Sequence, residues 1–222
     1  MACALGWACW KTYLGRPEAD CLTVSVRSLA MSQLGNGLWA AGRYEEALSV
    51  RQTELSMKLR LGVSAQSILV ARSNLASTYQ LLGRLEEALS VRQEVYSGRL
   101  KLHGEEHEET LAAAHNYALS LKKLERFEEA KTLLRKVVPV ARRVLGDSND
   151  VTLRMRWTYA KELYASPGAT LDDLREAVAT LEDTERTSRR VFGGAHPHVR
   201  LMEGFLRKAR AALRARETPG SA

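Results

Sequence analysis

The sequence predicts an all-α fold of the α-solenoid class, a superhelical stack of antiparallel helix pairs. Three observations carry this. A six-residue phrase returns as Gly42-Arg43-Tyr44-Glu45-Glu46-Ala47, Gly83-Arg84-Leu85-Glu86-Glu87-Ala88 and Glu125-Arg126-Phe127-Glu128-Glu129-Ala130, with a decayed copy at Leu174-Arg175-Glu176-Ala177. Its alanines lie 41, 42 and 47 residues apart, a period that marks stacked supersecondary units rather than one globular fold. In phase with them, Gly62, Gly104, Gly146 and Gly193 each follow an apolar stretch, so each period divides into two segments of about 17 to 20 residues, enough for a helix of about five turns. Within the segments the apolar spacing is helical, as in Ile68, Ala71, Leu75, Ala76, Tyr79 and Leu82.

Taken in order, the chain opens on an apolar stretch from Met1 to Trp10, followed at once by Lys11. It lacks the basic start of a secretory signal. Residues 1–23 read as a segment capping the stack or as the remnant of a longer chain. Cys3, Cys9 and Cys21 all fall here, an odd set with no zinc spacing, and reduced thiols in the cytoplasm are the expectation. The array spans 24–200 in about four pairs: 24–41 with 44–61, 65–82 with 85–102, 108–124 with 127–144, and 149–165 with 171–191. Pro167 and Gly168 make the fourth intra-pair loop an extended turn and account for the longer last period. A closing helix near 197–215 has no partner; counted as a domain of its own beyond the array it is 201–216. Pro197 suits its first turn, where a missing N–H costs little. Residues 217–222 form the expected disordered tail.

The small in-phase residues have a packing role. Ala47, Ala88, Ala130 and Ala177 on the second helices face Gly35, Ala76, Ala118 and Ala160 on the first, which lets helix axes approach to about 8 Å.

These residues resemble a known family. Leu75-Ala76, Tyr79 and Ala88 match the pattern of tetratricopeptide repeats, with 13 residues from Leu75 to Ala88 and again from Leu34 to Ala47 and Tyr117 to Ala130. The longer period, with Ser73-Asn74-Leu75-Ala76 and Leu102-His103-Gly104-Glu105-Glu106-His107, is similar to the kinesin-light-chain type. The resemblance covers residues 24–200. It implies a concave groove lined by the first helix of each pair, in which inward asparagines hold the backbone of an extended peptide. Asn74 and Asn116 match those positions; Gln33 and Thr158 depart from them. An amide offers two donors and an acceptor, which suits a peptide group; equally, these asparagines can serve to bond neighbouring helices. By the same register Asn36, Ser73, His115, Lys122, Trp157 and Lys161 line the groove, so that its later half is the more basic and aromatic and suits acidic segments. The carboxylate clamp of some relatives is not reproduced, since Ser32 and Ala112 stand where it needs basic residues.

Other chemistry finds little support. His103-Gly104-Glu105-Glu106-His107 fits the H-x-x-E-H pattern of a zinc-peptidase class, but Gly104 is a periodic turn residue and the counterparts of His103 are Leu61 and Leu145. No phosphate-binding glycine loop or nucleophile elbow occurs. No enzyme, cofactor or metal is expected. No run reaches the ~20 apolar residues that a bilayer span needs.

The net charge of +7 gathers late, in Arg189, Arg190, Arg200, Arg207, Lys208, Arg210, Arg214 and Arg216. Charge alone is non-specific, and a solvated face explains it better than nucleic acid does. The reading is therefore a non-catalytic, cytoplasmic scaffold or adaptor that binds a protein or peptide. Its rivals are a purely structural fragment of a larger array and, behind that, a basic nucleic-acid-binding repeat.

Overall fold

The computed structural model describes residues 21–218. Among these residues there are nine α-helices and no strand: α1 Cys21–Ala40, α2 Tyr44–Arg60, α3 Ala65–Leu81, α4 Leu85–His103, α5 Glu108–Lys123, α6 Phe127–Leu145, α7 Asp150–Ala165, α8 Leu171–Phe192 and α9 Pro197–Glu217. The expected helix ends hold to within three residues. Helix α9 starts at Pro197 with His196 as its N-cap, so a boundary at 200/201 falls inside it. Nearly all of the expected N-terminal cap, with Cys3 and Cys9, and most of the expected tail lie outside the described residues.

The chain divides into two compact units, one ending at Leu102 and the other beginning at His103. Helices α1–α4, up to Leu102, make the first, and His103 with α5–α9 the second. The even spacing of the repeats across this point gave no sign of it.

The recurring phrase is a helix start. Gly42 and Gly83 take φ of +74° and +73°, and the arginine that follows each stands just before the helix and pairs with the glutamate three residues on. Arg43 meets both carboxylate oxygens of Glu46 at 2.5 Å, Arg126 meets those of Glu129 at 2.6 and 2.8 Å, and Arg84 pairs with Glu87 in the same fork. Hydrogen bonding to Arg84 and to Arg126 holds the Glu87 and Glu129 carboxyls below their usual range. Negative charge there also opposes the positive end of the helix dipole.

Glu125 stands where the first two copies have glycine, and it keeps a left-handed φ of 59°. That conformation costs an L-residue about 1–2 kcal/mol; glycine avoids it while adding roughly 0.5–1 kcal/mol of chain entropy to lose. Glu125→Gly is therefore expected to raise the urea midpoint, a net gain of up to about 1 kcal/mol. A lower midpoint would count against strain at this turn.

The in-phase alanines are buried in each unit. In the first, Ala47, Ala76 and Ala88 are at most 1% exposed. Leu48, Leu75, Tyr79 and Ala88 form one cluster, and Leu34, Leu38 and Ala47 another. Gly98 lies so near α3 that a Cβ there would sit 2.6 Å from the Leu69 Cδ2 atom. In the second unit Ala118, Ala130, Ala160 and Ala177 play the same part beside Leu134, Met155, Leu163 and Leu181. Overpacking such a crossing costs about 1–3 kcal/mol.

The extended fourth loop ends in a capping box. The Thr170 hydroxyl accepts from the Asp173 N–H at 3.1 Å, and the Asp173 carboxylate accepts from the Thr170 N–H at 3.1 Å. Burial pushes the Asp173 carboxyl up, but the Thr170 hydrogen bonds and the Lys131 ammonium outweigh it and hold it below its usual range.

Candidate functional site

The expected site residues lie on the first helices of the pairs, α1, α3, α5 and α7, at different depths. In the first unit the organising group is Arg51 of α2, only 5% exposed. Its guanidinium donates to the Asn74 main-chain carbonyl at 2.6 Å, to the Asn36 Oδ1 atom at 3.1 Å, and to the Thr78 hydroxyl. One buried cation thus ties α1 to α3 at the level of both asparagines. Burial pushes the Arg51 pKa down, and nearby Glu54 pushes it back up. The Asn36 side chain is exposed, and Ser73 and Asn74 are half-buried. The Ser73 carbonyl accepts from the Ser77 hydroxyl at 3.1 Å. Glu54, 1% exposed, is matched by Lys58 at 2.7 Å and by the Ser32 hydroxyl.

In the second unit α5, α7 and α9 stand side by side. The buried His115 Nε2 atom lies 3.0 Å from the Thr158 hydroxyl, so this histidine joins α5 to α7. The neighbouring Asn116 is exposed. Lys122 pairs with Glu162, whose side chain is completely buried, and the second Glu162 oxygen has no hydrogen-bond partner. Trp157 is half-buried, edge-on to His198 at 5.3 Å. The Lys161 ammonium lies 5.0 Å from the centre of the Phe205 ring, a cation–π arrangement. Burial pushes the Lys161 pKa down, and the Lys122 and Lys208 charges push it further, against Glu162. Lys122, Trp157 and Lys161 are thus held by Glu162, His198 and Phe205 in turn, while Asn116 lies exposed on α5.

Sequence reasoning missed Arg51 and Glu162, which hold these faces from behind. Arg51 carried a legible signal: it follows its in-phase alanine by four residues, as Arg92 follows Ala88. Arg92 is likewise turned inward and reaches Gln80 at 3.1 Å; burial pushes its pKa down. Glu162 carried none, because a lone glutamate on a helix usually faces solvent.

Three of the eight late basic residues are held by partners within the second unit. Arg189 binds Glu185 and Glu203, Arg210 binds Glu182, and Arg216 reaches the Ala169 carbonyl at 3.0 Å. In the H-x-x-E-H stretch, Glu106 lies 2.7 Å from Arg143, and the His107 Nδ1 atom caps α5. No helix among the described residues is long and apolar enough to cross a membrane.

Tetratricopeptide-repeat profiles match residues 67–143 and 30–62. No curated protein matches the chain. Among solved structures, nearly identical TPR-like repeats of a kinesin-light-chain-like protein from Podosopora anserina align at a TM-score of 0.74 and 22% identity, over 86% of this chain and 88% of that one. A second structure of such repeats gives 0.66 and 21%, over 87% and 98%. BtubC (BKLC) from P. vanneervenii gives 0.63 and 17%, over 97% and 87%. At these identities the likeness is one of fold, and it places the chain in the α-solenoid class.

Proposed function

Because the chain belongs to the tetratricopeptide-repeat proteins and has the fold of the kinesin-light-chain type, we propose that it is a non-catalytic scaffold whose first-helix faces bind a protein or an extended peptide. The observation that carries this reading is the set of half-open side chains on α5 and α7, Lys122, Trp157 and Lys161 with the exposed Asn116. It pairs an exposed carboxamide with a half-open indole and partly desolvated ammonium groups, and it is fixed from behind by buried partners. Such preorganisation is what lets a small surface bind without losing much freedom on association.

The chemistry favours an acidic segment. Lys122 already neutralises Glu162, whereas Lys161 sits against Phe205 among like charges, and a carboxylate from a partner would relieve that repulsion. Trp157 offers an apolar anchor beside it. In the first unit Asn36 and Asn74 present carboxamides, and we read these as contacts to a peptide backbone. Affinity on the order of micromolar, about −8 kcal/mol, suits a groove of this kind.

Panning the purified chain against a random peptide library tests the proposal. The expected result is a set of enriched peptides carrying Asp or Glu next to an apolar residue, with binding weakened by Lys161→Glu. Failure to enrich any sequence would leave the chain as a structural array. Enrichment indifferent to Lys161→Glu would remove the acidic preference while keeping the scaffold.

A further inference from the structure

The loop that joins α4 to α5 brings together two imidazoles and a carboxylate that the repeat pattern does not require. His103 is the last residue of α4, His107 is the N-cap of α5, and Glu109 lies in its first turn. A ring nitrogen from each histidine and a carboxylate oxygen of Glu109 all lie within 4.8 Å of one another. The His103 Nε2 atom is 3.3 Å from the Glu109 Oε2 atom. The histidine rings stack at 4.3 Å with 17° between their planes. The only acid within the H-x-x-E-H frame that fits that motif, Glu106, is turned to Arg143, so the grouping differs from the one the sequence pattern names.

The corresponding loop before α9 shows what is ordinary here and what is added. There Phe192 stacks on His196 at 4.7 Å, and His196 caps α9 by accepting the His198 N–H at 3.2 Å. Packing the last ring of one helix against the N-cap imidazole of the next is thus a structural device shared by both loops. In the first loop the ring platform is an imidazole instead of a phenyl, and a carboxylate reaches it. These two changes convert a packing contact into a set of metal ligands.

We propose that His103, His107 and Glu109 bind a divalent transition metal of the Zn²⁺ class in a non-catalytic site. Two imidazoles and a carboxylate are the ligand set that Zn²⁺ takes with open positions left for water, and nitrogen–oxygen sites of this kind also accept Ni²⁺ and Cu²⁺. The groups are partly exposed, so the small closure needed for metal–nitrogen bonds of about 2.0–2.1 Å is a matter of side-chain rotation. The His107 Nδ1 atom accepts the Glu109 N–H at 3.2 Å, which places the ring proton on Nε2. Coordination through Nε2 moves that proton to Nδ1 and gives up this bond. The start of α5 stays held, because the His107 carbonyl still accepts the Thr110 and Leu111 N–H groups at 3.0 and 3.1 Å. A bound ion therefore ties the end of α4 to the first turn of α5.

The test is titration of the tag-free chain with ZnCl₂ by calorimetry, with Cys3, Cys9 and Cys21 changed to serine so that thiolates do not compete. One saturable site with a Kd on the order of micromolar is expected, together with a rise in Tm that grows with zinc. His103→Ala and His107→Asn should each weaken binding at least tenfold. Asparagine keeps the cap, as Asn149 does at the start of α7, so His107→Asn removes the ligand from a folded chain. His196→Ala/His198→Ala should bind as before. No saturable binding at 100-fold excess over a micromolar Kd, binding unchanged in His103→Ala, or loss of binding in the His196/His198 variant would each overturn the proposal.

Discussion

Lys122→Met is expected to destabilise the chain by about 2–3 kcal/mol, because it leaves the Glu162 carboxylate inside the second unit without its ion-pair partner. Removing one member of a buried pair typically costs about 3–5 kcal/mol. The lower figure is appropriate because the Lys122 side chain keeps 23% of its exposure, whereas Glu162 keeps none. Changing both residues to methionine should recover most of the loss, since the desolvation penalty then disappears along with the attraction. Urea denaturation of the two variants distinguishes this from an ordinary surface pair, for which the single change would cost no more than about 1 kcal/mol.

Arg51→Met is the second large effect, at about 2–3 kcal/mol. It would take the charged donor away from the Asn74 carbonyl, the Asn36 Oδ1 atom and the Thr78 hydroxyl together, and hydrogen bonds to charged groups contribute about 1.5–3 kcal/mol each when a lost partner stays buried. The exposed Asn36 can turn to water, which limits the total. Arg51→Lys should recover only part, because an ammonium cannot span the same three acceptors in one plane. Since Arg51 fixes both asparagines, the first-unit face should also lose affinity for any peptide it holds. A variant with full stability would show that the guanidinium is not what joins α1 to α3.

The fold was legible because it is periodic. The Gly-Arg-x-Glu-Glu-Ala phrase marked the starts of α2, α4 and, with Glu125 for glycine, α6, and the spacing of alanines marked the crossings. What the phrase does was less visible: only the structure shows Arg43, Arg84 and Arg126 forking onto their glutamates, and Glu125 holding a glycine's conformation. The candidate faces were legible in register but not in depth. Both His115 and Asn116 were assigned to the groove, but adjacent residues of a helix point about 100° apart, and His115 turns in to Thr158 while Asn116 stays exposed. Lys122 reads from sequence as an open cation, because its partner Glu162 lies 40 residues away and gives no local sign. The division between Leu102 and His103 was equally hidden, since the repeat length does not change there.

The proposed function requires that the first-helix faces bind a peptide through their carboxamides. The most direct test measures the affinity of an enriched peptide for the wild-type chain and for Asn74→Ala/Asn116→Ala, with helicity and urea midpoint checked to be unchanged. Loss of the two carboxamides should weaken binding by at least tenfold, about 1.4 kcal/mol. Equal affinity in the folded double variant would contradict the claim and place any binding elsewhere on the chain.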